Sequence, residues 1–517
     1  MLLNKNSIKW AIKHINSYSD TDLFPHPEEF IALEEMSSDL IPFLETLNLG
    51  SHKISTMRQF MVSKGDTFFR KATQLAPIDN IILAALIHQF GKQIEEQRFP
   101  IEDNVVFSNR FKPSAKGSLY AFNDPWNSYW SESLQRATHF KKVIVGDFSD
   151  FYNQIYHHTL ENILIRCNFP NQGIKFILNL CNKSTANISR GIPIGPHATH
   201  MLAEASLIEF DEALKSKGME HKRFVDDFIV FCTDDMDVRL KLQQIATTVD
   251  KQQKLTLNQS KTHSLTLEEF EKIATENQDG QPKTKEEEEL LLELKSLPTN
   301  CAYRMHIARR RKLSKENLIK FPLSKVNTAF QAYLLDKNVN YSRIKWLIRR
   351  FTASRVPSAV QFLIQNFNDL IPCISDICNY FITVGTLYSD NVTSLGEEFV
   401  KILDHPVIKS NSYYGLAILS MFPKRPELNH FDILSQNFNS YPAELKREII
   451  LLAYKNNNIA WIREQKERFD SMSYWEKSAM IMACSCFSKD EKKFYLNSLN
   501  PVDEMQKILI KWAKNKQ

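Results

Sequence analysis

The sequence predicts an α+β protein whose first part mixes helices with short strands and whose remainder is helical. Three observations predict it. Glycine is scarce, 13 in 517 residues against an average of about 7%, which disfavours glycine-rich cofactor folds and favours helix. Strand-like apolar runs stop before about residue 300. Beyond 301, apolar residues recur at helical spacing, as in Ile344, Leu347, Ile348 and Phe351 and again in Leu445, Ile449, Ile450 and Leu452. Pro357, Pro372, Pro406, Pro423, Pro426, Pro442 and Pro501 punctuate these segments, so the region reads as an α-helical repeat array, with an irregular helical bundle as the alternative.

The elements follow in order. The opening stretch MLLNKNSIKWAIKHI carries Lys5, Lys9 and Lys13 among apolar residues and reads as an amphipathic helix, not a secretory leader. Ile81–Ile87 and Gly415–Phe422 read as short core helices. Lys141–Gly146 reads as a buried strand, and Arg223–Cys232 as two short strands broken by two aspartates. Leu255–Thr262 reads as a strand carrying Lys261. Glu271–Lys295 holds the acidic block Glu286–Glu289 and reads as a surface loop leading into an amphipathic helix.

Composition narrows the class. With 34 Phe and 16 Tyr the chain has ample core and is not disordered. Lys and Arg number 65 against 60 Asp and Glu, a net charge of +5, compatible with nucleic-acid binding without demanding it. No apolar run approaches the ~18 residues of a membrane span. The eight cysteines show no zinc-ligand spacing, so we expect reduced, buried thiols in a cytoplasmic protein.

Chemistry concentrates at two carboxylate sites. In Val143–Tyr152 an apolar strand delivers Asp147 at its end, and in Phe224–Ile229 adjacent Asp226 and Asp227 sit within an apolar hairpin. Carboxylates flanked by Val, Phe and Ile are costly to bury unpaired. Hard Mg²⁺ removes that cost, because it prefers carboxylate oxygen. Asp147, Asp226 and Asp227 would therefore cradle two metal ions and serve an in-line displacement in which a hydroxyl attacks and pyrophosphate leaves. Between the two sites, Arg190–Glu204 forms a Gly- and Pro-rich loop feeding a helix, where Gly191 allows close backbone approach.

In this order the segments resemble motifs A, B, C and D of the reverse transcriptase palm: Asp147 with Asp150, Phe151 and Tyr152; Gly191-x-Pro193; Phe224-Val225-Asp226-Asp227; and Leu257-Asn258-x-x-Lys261-Thr262. The resemblance implies residues 1–300 as the polymerase region, with fingers over about 1–140 and palm over about 141–270. It implies 301–517 as a HEAT-like helical domain in place of a thumb. Asp147, Asp226 and Asp227 would hold two Mg²⁺, with Mn²⁺ able to substitute. Lys261 would protonate pyrophosphate. Tyr152 would be the steric gate against a ribose 2′-OH, and Asp150, Phe151 and Gly191 would line the dNTP site. Lys64–Arg70 is similar to the fingers hairpin, so Arg70 and Lys64 would hold the triphosphate; Arg110 is a further candidate.

Motif A as DFSDFYNQIYHH and motif B as GIPIGPHATHMLAE resemble the abortive-infection (Abi) reverse transcriptases of bacterial phage defence, the type carried by P2-like prophages. That resemblance implies template-independent DNA synthesis, priming from a tyrosine hydroxyl, single-stranded DNA attached to the protein, and a homo-oligomer (trimer or hexamer) in the bacterial cytoplasm, responding to a phage factor. Tyr18, in the polar stretch Asn16–Asp20 read as an accessible loop, is the candidate primer. Motif B departs from the usual pattern, with Arg190 for Gln and Gly195 for Ser, positions that handle template and primer in copying relatives. The alternatives are a retron-like enzyme copying a bound RNA and a non-catalytic phage-sensing scaffold. The basic clusters Arg309–Lys312 and Arg343–Arg350, with Trp346 and Phe351, could bind single-stranded product.

Overall fold

The computed structural model describes residues 3–18, 23–65, 67–121, 124–278, 284–296, 323–337, 339–388 and 392–516. Among them are six strands: β1 (Arg58–Ser63), β2 (Phe69–Gln74), β3 (Lys142–Asp147), β4 (His221–Phe224), β5 (Asp227–Cys232) and β6 (His263–Thr266). The chain divides into two compact units that interleave along the sequence. Met1–Ser19, Ile41–Ile54 and Asp79–Gln281 make the first, and Asp20–Leu40, Ser55–Ile78 and Pro282–Gln517 the second.

The first unit is built on an antiparallel sheet of order β4-β5-β3-β6. Both faces are covered, which is why β3 and β5 read as continuous apolar runs rather than alternating ones. Val143 pairs with Phe231 and Val145 with Ile229. That face packs with Tyr129 and Trp130 of the helix Pro125–Ala137 and with Phe270 and Ala274 of the helix Leu267–Asn277. On the opposite face the rings of Phe148, Phe210 and Phe228 pack together at 5.1–5.6 Å. The β4 edge is covered by residues 105–107, which exchange backbone hydrogen bonds with Arg223.

Three local readings change. The hairpin turns at Val225–Asp226, because Phe224 pairs directly with Asp227; Asp227 is the first residue of β5, so the strands are not broken by both aspartates. The charged stretch after 270 is helical through Asn277, where Thr266 and Glu269 form a reciprocal capping box that starts the helix. A second helix runs over Lys285–Ser296. The segment read as a short core helix at Ile81–Ile87 lies within a helix spanning Pro77–Glu95.

The second unit joins the β1–β2 hairpin to the helices from Lys285 to Asn515. Its interior holds a buried ion cluster. Arg447 pairs with Glu29 at 2.5 Å and Glu448 at 2.6 Å, Arg58 reaches Glu448 at 3.5 Å, and the Arg58 guanidinium lies over Trp475 at 4.4 Å. Trp475 Nε1 donates to Thr56 O. These long-range bonds explain why residues around β1 group with the C-terminal helices. No helix among the described residues is long and apolar enough to cross a membrane. The seven described cysteines are free, and six of them are buried.

Candidate active site

Register brings the carboxylates together. Asp147, last in β3, lies directly opposite Asp227, first in β5, and Asp226 precedes it in the turn. Like charges facing across a β pair are destabilising unless a cation compensates. The turn is held by its neighbours: Phe148 N donates to Asp226 O at 3.3 Å, and Val225 takes a positive φ of 55°, unusual for a β-branched residue and a local strain. Gly146 is required by space: a Cβ there would stand 2.2 Å from the Phe228 ring.

A cation already sits against this site. The Lys261 ammonium is 3.1 Å from Asp147 Oδ2 while its side chain stays 48% exposed. Burial opposes its charge, but Asp147, Asp227 and Asp226 together raise its pKa above the ordinary lysine value. Lys261 is not on a strand. It closes a turn before β6, where Lys261 N donates to Asn258 O at 3.1 Å. Asn258 positions the carboxylate as well, donating from its backbone N to Asp147 O at 2.7 Å and from Nδ2 to Asp147 Oδ2 at 2.9 Å. The donor set of three carboxylates suits a hard divalent cation. Among the described residues, however, no three donor side chains already stand around a common ion position. An ion at Asp147 would have to displace Lys261.

Beneath the hairpin lies a network that sequence reading missed. Arg223, fully buried, donates from Nε and Nη2 to Asp211 at 2.9 and 2.7 Å, and from Nη1 to Glu204 at 2.9 Å and Val225 O at 2.9 Å. Glu204 also accepts from Arg98 at 3.1 Å, Asn109 at 3.2 Å and the Ser108 hydroxyl, while Val225 N donates to Ser108 Oγ at 2.8 Å. Burial opposes ionisation of Asp211, but Arg223 overcomes it and holds the carboxyl down at about 2. The Asp226–Asp227 turn is thus tied by Val225 to buried charge. Nearby, the Tyr129 hydroxyl is buried without a hydrogen-bond partner among the described residues. Burial first, then Asp227 and Asp226, pushes its pKa up.

The motif B loop is stitched to motif A. Gly191, at φ 96°, donates from N to Ile155 O at 2.8 Å, Ile192 N donates to Tyr152 O at 2.9 Å, and His157 Nε2 bonds Gly191 O at 2.7 Å. Asp150, at φ 48°, accepts from Asn153 Nδ2, and Phe151 is buried. The Tyr152 hydroxyl and His200 Nδ1 share a 2.6 Å hydrogen bond.

Arg110 is buried and bonded to Glu95 at 2.6 Å, Val106 O and Phe99 O, so its fork braces the fold. Lys64 and Arg70 belong to the second unit. Lys64 is exposed beside a turn closed by Lys64 N donating to Phe68 O, and Arg70 Nε is buried without a partner among the described residues. Tyr18 ends the helix Lys5–Tyr18 instead of lying in a loop, its ring 6.3 Å from His14; the apolar face Ile8, Ala11, Ile12 and Ile15 carries the helix that far. Phe351 is core, and Arg343 is buried on Glu287 at 2.5 Å, so that helix offers less basic surface than its sequence implied. Trp346 lies between Arg343 and Arg350 at 3.8 and 4.6 Å. Arg309–Lys312 lie outside the described residues.

The antiparallel sheet thus presents carboxylates on two adjacent strand ends, with a lysine turn beside them. Residues 82–297 match the family described as reverse transcriptase (RNA-dependent DNA polymerase). The chain therefore carries a reverse-transcriptase domain, a nucleotidyltransferase type that binds nucleotides and nucleic acid and generally works with divalent metal ions. Among solved structures, a telomerase from Candida albicans in complex with the TWJ fragment of telomeric RNA aligns at 10% identity and a TM-score of 0.30, over 82% of this chain and 69% of that one. No curated protein matches the chain.

Proposed function

We propose that this protein is an abortive-infection DNA polymerase that builds single-stranded DNA from dNTPs without a template, primed on its own tyrosine hydroxyl, as a homo-oligomer in the bacterial cytoplasm. One observation carries the polymerase part of this reading: Asp147 and Asp227 face each other across β3 and β5, with Asp226 in the adjoining turn and Lys261 on Asp147. Two divalent ions held by Asp147, Asp226 and Asp227 would activate the attacking hydroxyl and steady the departing pyrophosphate. Lys261, which keeps its proton near these carboxylates, would give it to the pyrophosphate once the ions occupy Asp147. Tyr152, five residues after Asp147, would bar a 2′-OH. Arg190 and Gly195, where copying relatives have Gln and Ser, support the untemplated reading. Lys64 and Arg70 would hold the triphosphate, Tyr18 is the proposed primer, and the helices beyond 301 would replace a thumb.

The family description names an RNA-dependent polymerase, which favours template copying as the second reading. A single assay separates them: purified protein, Mg²⁺ and labelled dNTPs without template or primer, half of it then digested with protease. Label that stays with protein until digestion supports untemplated, protein-primed synthesis, and Tyr18→Phe abolishes it if Tyr18 is the primer. Label that appears only with added RNA supports copying. No label in either arm, with Asp226→Ala still protective against phage, supports a sensing scaffold.

A further inference from the structure

Outside the carboxylate cradle, the first unit contains a run of histidines and aromatic rings of which the polymerase chemistry proposed above uses only Tyr152. Trp10 stacks on His88 at 4.2 Å and on His14 at 4.9 Å. His14 stacks on His197 at 5.3 Å, and His197 meets His200 at 5.6 Å. The last ring is Tyr152, perpendicular to His200 at 5.8 Å and joined to its Nδ1 by the 2.6 Å hydrogen bond.

The run is anchored by hydrogen bonds to the backbone. Trp10 Nε1 donates to Ser114 O at 2.8 Å, His14 Nδ1 bonds Gly117 O at 2.7 Å, and the Tyr120 hydroxyl donates to His197 O at 3.0 Å. His200 begins its turn in the helix Thr199–Ser206, whose residues are buried from Met201 onward. Its imidazole therefore stands on a backed surface. Tyr152 is held at two points, by Ile192 N on its backbone oxygen and by His200 on its hydroxyl.

We propose that His200 is a positioning residue for sugar selection, holding the Tyr152 ring so that it cannot yield to a ribose 2′-OH. The inference rests on the polymerase reading above. A ring excludes an extra hydroxyl by clash, and a clash discriminates only as far as the ring stays put. Phenylalanine would give the same bulk with no tether. The tyrosine hydroxyl adds a fixed end, but only if a partner receives it, because a half-buried hydroxyl without one is a liability. His200 is that partner, and His197 and Tyr120 stand behind it.

The test is the ratio of kcat/KM for dATP to that for ATP in Mg²⁺, in the full-length protein and in His200→Ala, Tyr152→Phe, the double variant and His200→Gln. Both sugars are read on one preparation, so the ratio is independent of how much enzyme is folded. His200→Ala and Tyr152→Phe should each lower the ratio about three- to tenfold, the factor expected for one ordinary hydrogen bond. The double variant should fall no further than either single, because both delete the same bond. His200→Gln, which keeps a polar group there, should recover part of the ratio. An active wild type with an unchanged ratio in His200→Ala overturns the proposal, as does an additive double variant. A wild type that incorporates neither nucleotide, with or without added template, overturns the polymerase reading itself.

Discussion

Replacing Arg223 with methionine should loosen the Asp226–Asp227 hairpin from below. The guanidinium makes three bonds to Asp211, one to Glu204 and one to Val225 O. Glu204 would keep Arg98, Ser108 and Asn109, whereas Asp211 would keep His221 at 3.3 Å. Most of the loss therefore falls on Asp211, a buried carboxylate deprived of its bidentate partner. Breaking a buried pair from one side costs about 3–5 kcal/mol, which is about a hundredfold to several thousandfold in an opening equilibrium. Replacing both partners removes the stranded charge, so Arg223→Met with Asp211→Leu should be more stable than Arg223→Met alone, with a coupling of about 2 kcal/mol. Hydrogen exchange read on peptides covering His221–Cys232 measures this locally, without assuming that two compact units unfold together. Protection within tenfold of wild type in the single variant, or additive losses in the double, would refute the claim that this network carries the turn.

The remaining expectations are smaller in scope. Burial lowers the His14 pKa from 6.5 to about 4, so the fold favours its neutral form. The stability it contributes is full above pH 6.5 and is lost as pH falls toward 4, up to about 3 kcal/mol; His14→Gln should flatten the thermal-melting profile across that window, and an unaltered slope would count against it. Gly146→Ala should lower the melting temperature by crowding Phe228, at about 1–3 kcal/mol, and Phe228→Leu added to it should restore much of the loss. Lys261→Gln removes the cation that competes for Asp147, so Mn²⁺ binding followed by water-proton relaxation should tighten while nucleotide incorporation slows. Equal Mn²⁺ affinity would mean that the ion does not bind where Lys261 now sits.

Much of the site was legible because its chemistry conflicts with its surroundings. Aspartates inside apolar strands are expensive, and Asp147, Asp226 and Asp227 stand out for that reason. Their facing register was not legible, because it depends on pairing across 80 residues of chain. Neither was the break at Val225–Asp226, since valine seldom takes a left-handed turn position and nothing local announces the Ser108 and Arg223 contacts that hold it there. Arg223, Asp211 and Glu204 looked like ordinary helix and strand charges; only burial reveals them as a network. Asn258 shares a motif with the more conspicuous Lys261, three residues on. The helical character beyond 301 followed from periodicity. The grouping of β1 and β2 with those helices did not, because it rests on Arg58 meeting Glu448, 390 residues further along the chain, and Trp475 beyond it.

In the proposed function, Asp147, Asp226 and Asp227 form one metal-dependent polymerising centre. Incorporation of labelled dNTP by full-length protein, compared with Asp226→Asn, tests it most directly, in Mg²⁺ and in EDTA, with and without RNA template. The expected result is incorporation that EDTA abolishes and that Asp226→Asn lowers about a hundredfold or more. Incorporation that survives EDTA, or an Asp226→Asn protein as active as wild type, would contradict it.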